Sequence, residues 1–178
     1  MKNLFTSRDL AYCGLFGAAA LLLPVIFHLV HLGRVFMPMY LPLVALAFLV
    51  GPVPASLTAL VTPLVSGAVT GMPPFYPPVA VFMAVELSAM AALIAFARGF
   101  WPRAAPWLIL IPVLLLGRVL YVGLVYAFSG FIDLPAEFMA GLSFVSGWPG
   151  IILLIVVVPA VVRIFNRGGG QPAASEKG

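Results

Sequence analysis

Long apolar runs, interrupted by short polar or proline-rich stretches, cover most of the chain. The runs extend over about residues 10–30, 41–50, 55–69, 79–97, 107–128 and 141–165. Because a transmembrane helix needs about 20 predominantly apolar residues, the pattern predicts six crossings, with a short or irregular second one over 41–50. The predicted fold is an all-α bundle of six transmembrane helices over residues 1–165, followed by a disordered cytoplasmic tail over 166–178.

The composition agrees with a membrane protein. Hydrophobic residues make up 63% of the chain and charged residues 8%, whereas a soluble domain carries about 25% charged residues. Cys13 is the only cysteine, which excludes an intramolecular disulfide and a multi-cysteine metal site. The net charge of +4 is informative through its distribution along the chain, and we predict no nucleic-acid partner.

The distribution of basic residues predicts the orientation. Six crossings place both termini on one side, and Arg34, Asp133 and Glu137 on the other. Basic residues near span ends favour the cytoplasmic side, so both termini are predicted to be cytoplasmic. The protein is then predicted to be a multi-pass membrane protein. The basic residues on the predicted cytoplasmic side are Lys2, Arg8, Arg98, Arg103, Arg163, Arg167 and Lys177.

Two charged residues, Glu86 and Arg118, lie deep within predicted spans. Charges inside a membrane are costly, usually pair with one another and often mark a substrate path. Counting residues from the span ends places both at a similar depth, so we expect them to interact. A structural ion pair and a substrate contact both remain open, and the two roles are compatible.

The stretch HLVHLGRVFMPMYLP, residues 28–42, gathers polar, aromatic and sulfur-containing side chains between two apolar runs. Unpaired backbone groups are not tolerated in lipid, so this stretch must lie at the interface or line a cavity. We interpret it, together with the proline-rich loop 70–78, as the cap of an outward-opening cavity. Aromatic walls with a few placed polar groups suit a small heterocycle. The predicted substrate-binding residues are Arg34, Met39, Tyr40, Tyr76, Glu86, Arg118, Tyr121 and Trp148.

For several of these residues, a role at the membrane interface without substrate binding remains an alternative. In the alternative interpretation, Arg34 extends to lipid headgroups and Tyr40 belongs to an interfacial aromatic belt. His28 and His31 are three residues apart, which would place them on one face of a continuing helix, but interfacial histidines are favoured over a metal site. We predict no metal and no cofactor.

The motifs resemble those of a known family. The runs GRVFMPMYLP, FLVGP and LVTPLVSGAVTGMPP, on a six-span chain of this size, resemble the substrate-binding S components of energy-coupling factor (ECF) transporters. The resemblance is to the large family that includes riboflavin, folate and pantothenate binders. It covers nearly the whole chain up to about Phe165.

The resemblance implies a non-enzymatic subunit that captures a vitamin or related micronutrient at the outer face. It implies delivery by toppling, in complex with a transmembrane T component and two ATPase subunits. Small residues of the first helix would contact the T component, here Ala11, Gly14 and Ala18. No Walker motif occurs in the chain, so ATP hydrolysis would belong to the partners.

Two other classes of protein remain as alternatives. One is an intramembrane enzyme that uses Glu86 and a histidine as acid and base, although the HExxH, GxSxG and paired-Asp motifs are missing from the sequence. The other is a self-sufficient small-solute transporter, although the two halves of the chain show no evident repeat.

Overall fold

The computed structural model describes residues 5–29, 38–76, 78–131 and 148–168, with side chains described as far as residue 27 in the first range and 165 in the last. All regular structure in these ranges is α-helical. Five of the six helices are long and apolar enough to cross a membrane. The helices are α1 (Ser7–Leu29), α2 (Tyr40–Ala47), α3 (Pro52–Thr70), α4 (Val79–Phe100), α5 (Pro106–Ser129) and α6 (Trp148–Gly168).

Local sequence explains where several helices begin and end. Thr6 and Asp9 cap α1 reciprocally: the Asp9 N–H donates to Thr6 Oγ1 at 3.1 Å, and the Thr6 N–H donates to Asp9 Oδ2 at 3.0 Å. Helices α3 and α5 both start on a proline, whose missing N–H is not needed in the first turn. Helix α3 ends at Gly71, which has a φ of 72°, the left-handed conformation that glycine adopts without strain.

Helices α1 and α3 run in the same direction. The Cys13 thiol donates to the Pro54 carbonyl at 3.7 Å, and a Cβ on Gly17, one turn further along α1, would lie 3.6 Å from the Thr58 methyl group. The chain between α1 and α3 must therefore return across the bundle. At the ends of the chain, the Tyr12 and Phe165 rings are 5.8 Å apart, so the start of α1 and the end of α6 share one end of the bundle.

The short helix α2 lies at the centre of the packing. Helix α2 lies in the segment that connects α1 to α3, and it contacts α1, α3, α4 and α6. Its eight residues span only about 12 Å at 1.5 Å per residue, so the predicted second crossing is a half-length helix. All of its residues except Leu41 are buried. Lipid is as apolar as leucine, so this burial reflects close packing rather than a hydrophobic driving force.

Candidate functional site

Three buried polar side chains meet where α2 begins. Tyr40 is the first residue of α2, Glu86 lies in the second turn of α4, and Arg118 lies near the middle of α5. The Tyr40 hydroxyl donates a hydrogen bond to Glu86 Oε2. Arg118 Nη1 lies 3.9 Å from Glu86 Oε1, and the guanidinium carbon lies 5.4 Å from the centre of the Tyr40 ring. Each of the three side chains therefore interacts with the other two.

The expected pairing of Glu86 with Arg118 is thus present, and its character is electrostatic. A separation of 3.9 Å exceeds hydrogen-bond length, so Coulomb attraction carries the contact. Glu86 is fully buried and Arg118 is 7% exposed. Within the described part of the chain, Glu86 Oε1 accepts no hydrogen bond. The pair therefore holds a carboxylate and a guanidinium inside the bundle with one carboxylate oxygen still able to accept a donor.

A glycine allows α5 to approach α4 at this pair. A Cβ on Gly117 would collide with the Met90 side chain, lying 3.0 Å from its Cγ, and would lie 3.2 Å from Glu86 Oε1. A hydrogen at this position leaves the α5 backbone room to lie directly against Glu86 and Met90. Gly117 and Met90 were not among the residues predicted for the site. The available signal was a glycine next to the only arginine deep within a predicted span.

Tyr121 extends the site with an aromatic surface. It lies three residues after Arg118 on α5, which places the two on the same side of the helix. Its ring meets Phe82 edge to face at 6.3 Å, and Phe82 in turn contacts Phe128 at 5.4 Å. Phe82 is one turn before Glu86 on α4. The buried ion pair is therefore bordered by aromatic rings on both helices.

The other predicted substrate-binding residues have different positions. Met39 is buried in the main core beside Tyr40. Tyr76 is 73% exposed on the connection between α3 and α4, and Trp148 is 57% exposed at the start of α6. Neither of these two side chains belongs to the buried cluster. Arg34 lies outside the described residues.

The small residues of α1 face two different environments. Ala11, Gly14 and Ala18 are exposed, and no described atom lies within 4 Å of a Cβ placed on Gly14. Gly17 faces the protein instead, against Thr58 of α3. The predicted partner-binding residues therefore form a small-residue surface along α1 that no described part of the chain covers.

Thr58, Thr62 and Ser66 form a polar stripe at four-residue spacing along α3, and their hydroxyl groups bond within the helix and its C-terminal connection. The Thr58 hydroxyl donates to the Pro54 carbonyl at 2.8 Å, and the Thr62 hydroxyl donates to the Thr58 carbonyl at 2.7 Å. Ser66 donates to the carbonyl of Met72 at 2.7 Å. These hydroxyl protons are used in local hydrogen bonds, so the stripe serves the helix and its connection.

No group of three or more His, Cys, Asp or Glu side chains comes together among the described residues. The side chains of His28 and His31 lie outside these residues. A shallow apolar groove on α6 is lined by Pro149, Ile152, Leu153 and Val156, none of which offers a charged or hydrogen-bonding side chain to orient a ligand.

Comparisons with known proteins yield no relative. No protein family, curated protein or solved structure matches the chain. The resemblance to ECF S components therefore stands on the short motifs quoted above.

Proposed function

We propose that this protein is the substrate-capture subunit, or S component, of an ECF-type importer. In this role it binds a vitamin or related micronutrient and has no enzymatic activity. A T component and two ATPase subunits are its partners, and the membrane is the inner membrane of a prokaryote. The observation that carries the proposal is the position of Tyr40 against the buried Glu86–Arg118 pair.

The position of Tyr40 brings together two features that lie far apart in the sequence, the polar motif and the charges deep within the spans. Tyr40 belongs to the polar motif of residues 28–42, which resembles the family pattern, whereas Glu86 and Arg118 are the charges within the spans. Tyr40 of the motif and the two charges lie together at the start of α2, bordered by the rings of Phe82 and Tyr121. Polar groups among aromatic and apolar surfaces are typical of small-molecule sites.

The surface formed by Ala11, Gly14 and Ala18 supports the proposal of a partner helix. Small side chains let two helix backbones approach closely, and this is a common basis of helix association in membranes. No residue of the described ranges covers this surface, which supports a helix of the T component as its occupant.

The proposed topology keeps both termini cytoplasmic, with six crossings if the half-length helix α2 counts as one. The parallel course of α1 and α3 is consistent with a return crossing between them. The connection around Arg103 then faces the cytoplasm, and Tyr76 lies at the outer end of the bundle, next to the membrane surface.

Native mass spectrometry of the purified protein tests ligand capture, and affinity purification from its native membrane tests the partners. We expect a small molecule of fixed mass bound to the subunit, and co-purification of ATPase subunits with one transmembrane partner. Turnover of a lipid or peptide by the pure protein would favour the enzyme alternative. Uptake by the protein alone in liposomes, with no ATPase present, would favour the self-sufficient transporter.

A further inference from the structure

The connection between α3 and α4 is tied down along its length. We call residues 70–76 the strap. At its start, the Met72 carbonyl accepts hydrogen bonds from the Ser66 hydroxyl at 2.7 Å and from the Thr70 hydroxyl at 3.1 Å. The single Thr70 hydroxyl proton is shared between this carbonyl and the Ser66 carbonyl at 2.8 Å, and Thr70 Oγ1 accepts a hydrogen bond from the Met72 N–H at 3.3 Å. Two side chains of the last α3 turn therefore hold the backbone of the strap where it leaves the helix.

Gly67 provides the surface on which the strap lies. A Cβ at this position would lie 2.7 Å from the Pro73 carbonyl oxygen and 3.0 Å from the Phe75 ring. Both distances are shorter than ordinary van der Waals contact, and one of the atoms belongs to the backbone, which cannot rotate away. Gly71, with its φ of 72°, turns the chain back towards Gly67, and its N–H donates to the Gly67 carbonyl at 3.0 Å.

The far end of the strap is attached to α4. The Ala80 N–H, in the first turn of α4, donates to the Pro74 carbonyl at 3.0 Å. This bond uses one of the amide donors that a helix N-terminus otherwise leaves without an intrahelical partner. The strap is therefore bonded to α3 at one end, packed on Gly67 in the middle and bonded to α4 at the other end.

We propose that the strap is a fixed element of the bundle, and that Gly67, Ser66 and Thr70 are the positioning residues that hold it. The strap presents Met72, Phe75 and Tyr76 at the surface in one arrangement, with exposed fractions of 48%, 48% and 73%. A solute that enters from this end of the bundle passes beside the strap, because lifting it would break bonds to both helices. This inference does not rest on the proposed function, which would survive its failure.

Pulsed electron–electron double resonance tests the proposal without a ligand. In a Cys13→Ala background, nitroxides at positions 76 and 103 report the distance from the strap to the connection between α4 and α5. A reference pair at 69 and 103 uses Val69, which is 77% exposed on α3. We expect the distance distribution of the strap pair to be as narrow as that of the reference pair. A broad or two-peaked distribution for the strap pair alone would overturn the proposal.

A second measurement tests the positioning role of Gly67. Gly67→Val should shift and broaden the 76–103 distribution while leaving the 69–103 distribution unchanged, because only the strap is displaced. The matched control is Gly99→Val, at a helical glycine with nothing within 4 Å of its Cβ. Should Gly67→Val fail to fold, Ser66→Ala removes one strap bond and should broaden the same distribution. An unchanged strap distribution in a folded Gly67→Val protein would remove Gly67 from the positioning role.

Discussion

Removal of either charge from the Glu86–Arg118 pair should destabilise the bundle, because the charge that remains stays buried without its partner. At 3.9 Å, the attraction is about 4 kcal/mol at an effective dielectric constant of about 20. Loss of one partner leaves the other charge buried without compensation, which costs roughly 3–5 kcal/mol in a protein interior. Snorkelling and water entry reduce this cost in membranes, so we expect about 2–3 kcal/mol for each single substitution.

The measurement is a double-mutant cycle with Glu86→Gln and Arg118→Gln. Glutamine at position 86 retains a side-chain oxygen that can accept the Tyr40 hydrogen bond, so this substitution removes the charge and little else. Reversible unfolding in mixed micelles, by titration with dodecyl sulfate, gives the free energy for each variant. The double mutant should lose less than the sum of the single losses, with a coupling energy of about 1–2 kcal/mol.

The matched control replaces Arg98, which lies on α4 with Glu86 and donates to the Pro102 carbonyl at 2.8 Å beyond the helix end. Glu86→Gln and Arg98→Gln should be additive, because about 18 Å of helix separates the two positions. If Glu86 and Arg118 were also additive, the 3.9 Å contact would contribute nothing measurable, and the ion pair could not be what joins α4 to α5 here.

The remaining predictions concern close packing, topology and partner binding. Gly117→Ala should lower stability by about 1–3 kcal/mol, because the added methyl group meets Met90 and Glu86; a neutral effect in the same titration would contradict this contact. Cysteines at Arg103 and Phe131, in a Cys13→Ala background, should be labelled from outside intact cells at position 131 only; preferential labelling at 103 would invert the topology. Gly14→Leu should leave the isolated protein folded, since its Cβ meets nothing, but should abolish uptake with the ATPase module; unimpaired uptake would move the partner surface elsewhere.

The positions of the long helices could be predicted from the sequence because a helix that crosses a membrane needs about 20 apolar residues. The predicted fourth and fifth spans, 79–97 and 107–128, correspond to α4 at Val79–Phe100 and α5 at Pro106–Ser129. The interaction of Glu86 with Arg118 was also predictable, because two opposite charges inside membrane spans are costly to leave unpaired. The short second span was visible as an apolar run of half length beside two prolines.

The contacts around the site were not predictable because apolar residues surround most of these helices. A helix that is apolar on all sides gives no periodic signal for the face that packs. The partner of Tyr40, the close approach at Gly117 and the contact of Gly67 with the strap all depend on helix rotation and depth. Tyr76 and Trp148 were assigned to the site from their position beside the loops, and the structure places both side chains at the surface.

The buried position of α2 explains why polar residues stand where this helix begins. A helix of eight residues cannot cross the membrane alone, and the non-helical backbone described beside it, at residues 38–39 and 48–51, needs protein or water around it rather than lipid. Tyr40 meets this requirement at the point where the helix starts, because its hydroxyl bonds to Glu86 and its ring lies beside Arg118. The buried charges thus anchor the start of α2 directly. A substitution such as Tyr40→Phe, which removes only that hydroxyl, should cost about 0.6 kcal/mol and at most about 1.7 kcal/mol in the same unfolding titration, the average and maximum measured for hydrogen bonds between membrane helices. If Tyr40→Phe left stability unchanged while Glu86→Gln did not, Arg118 alone would hold Glu86, and α2 would depend on packing for its position.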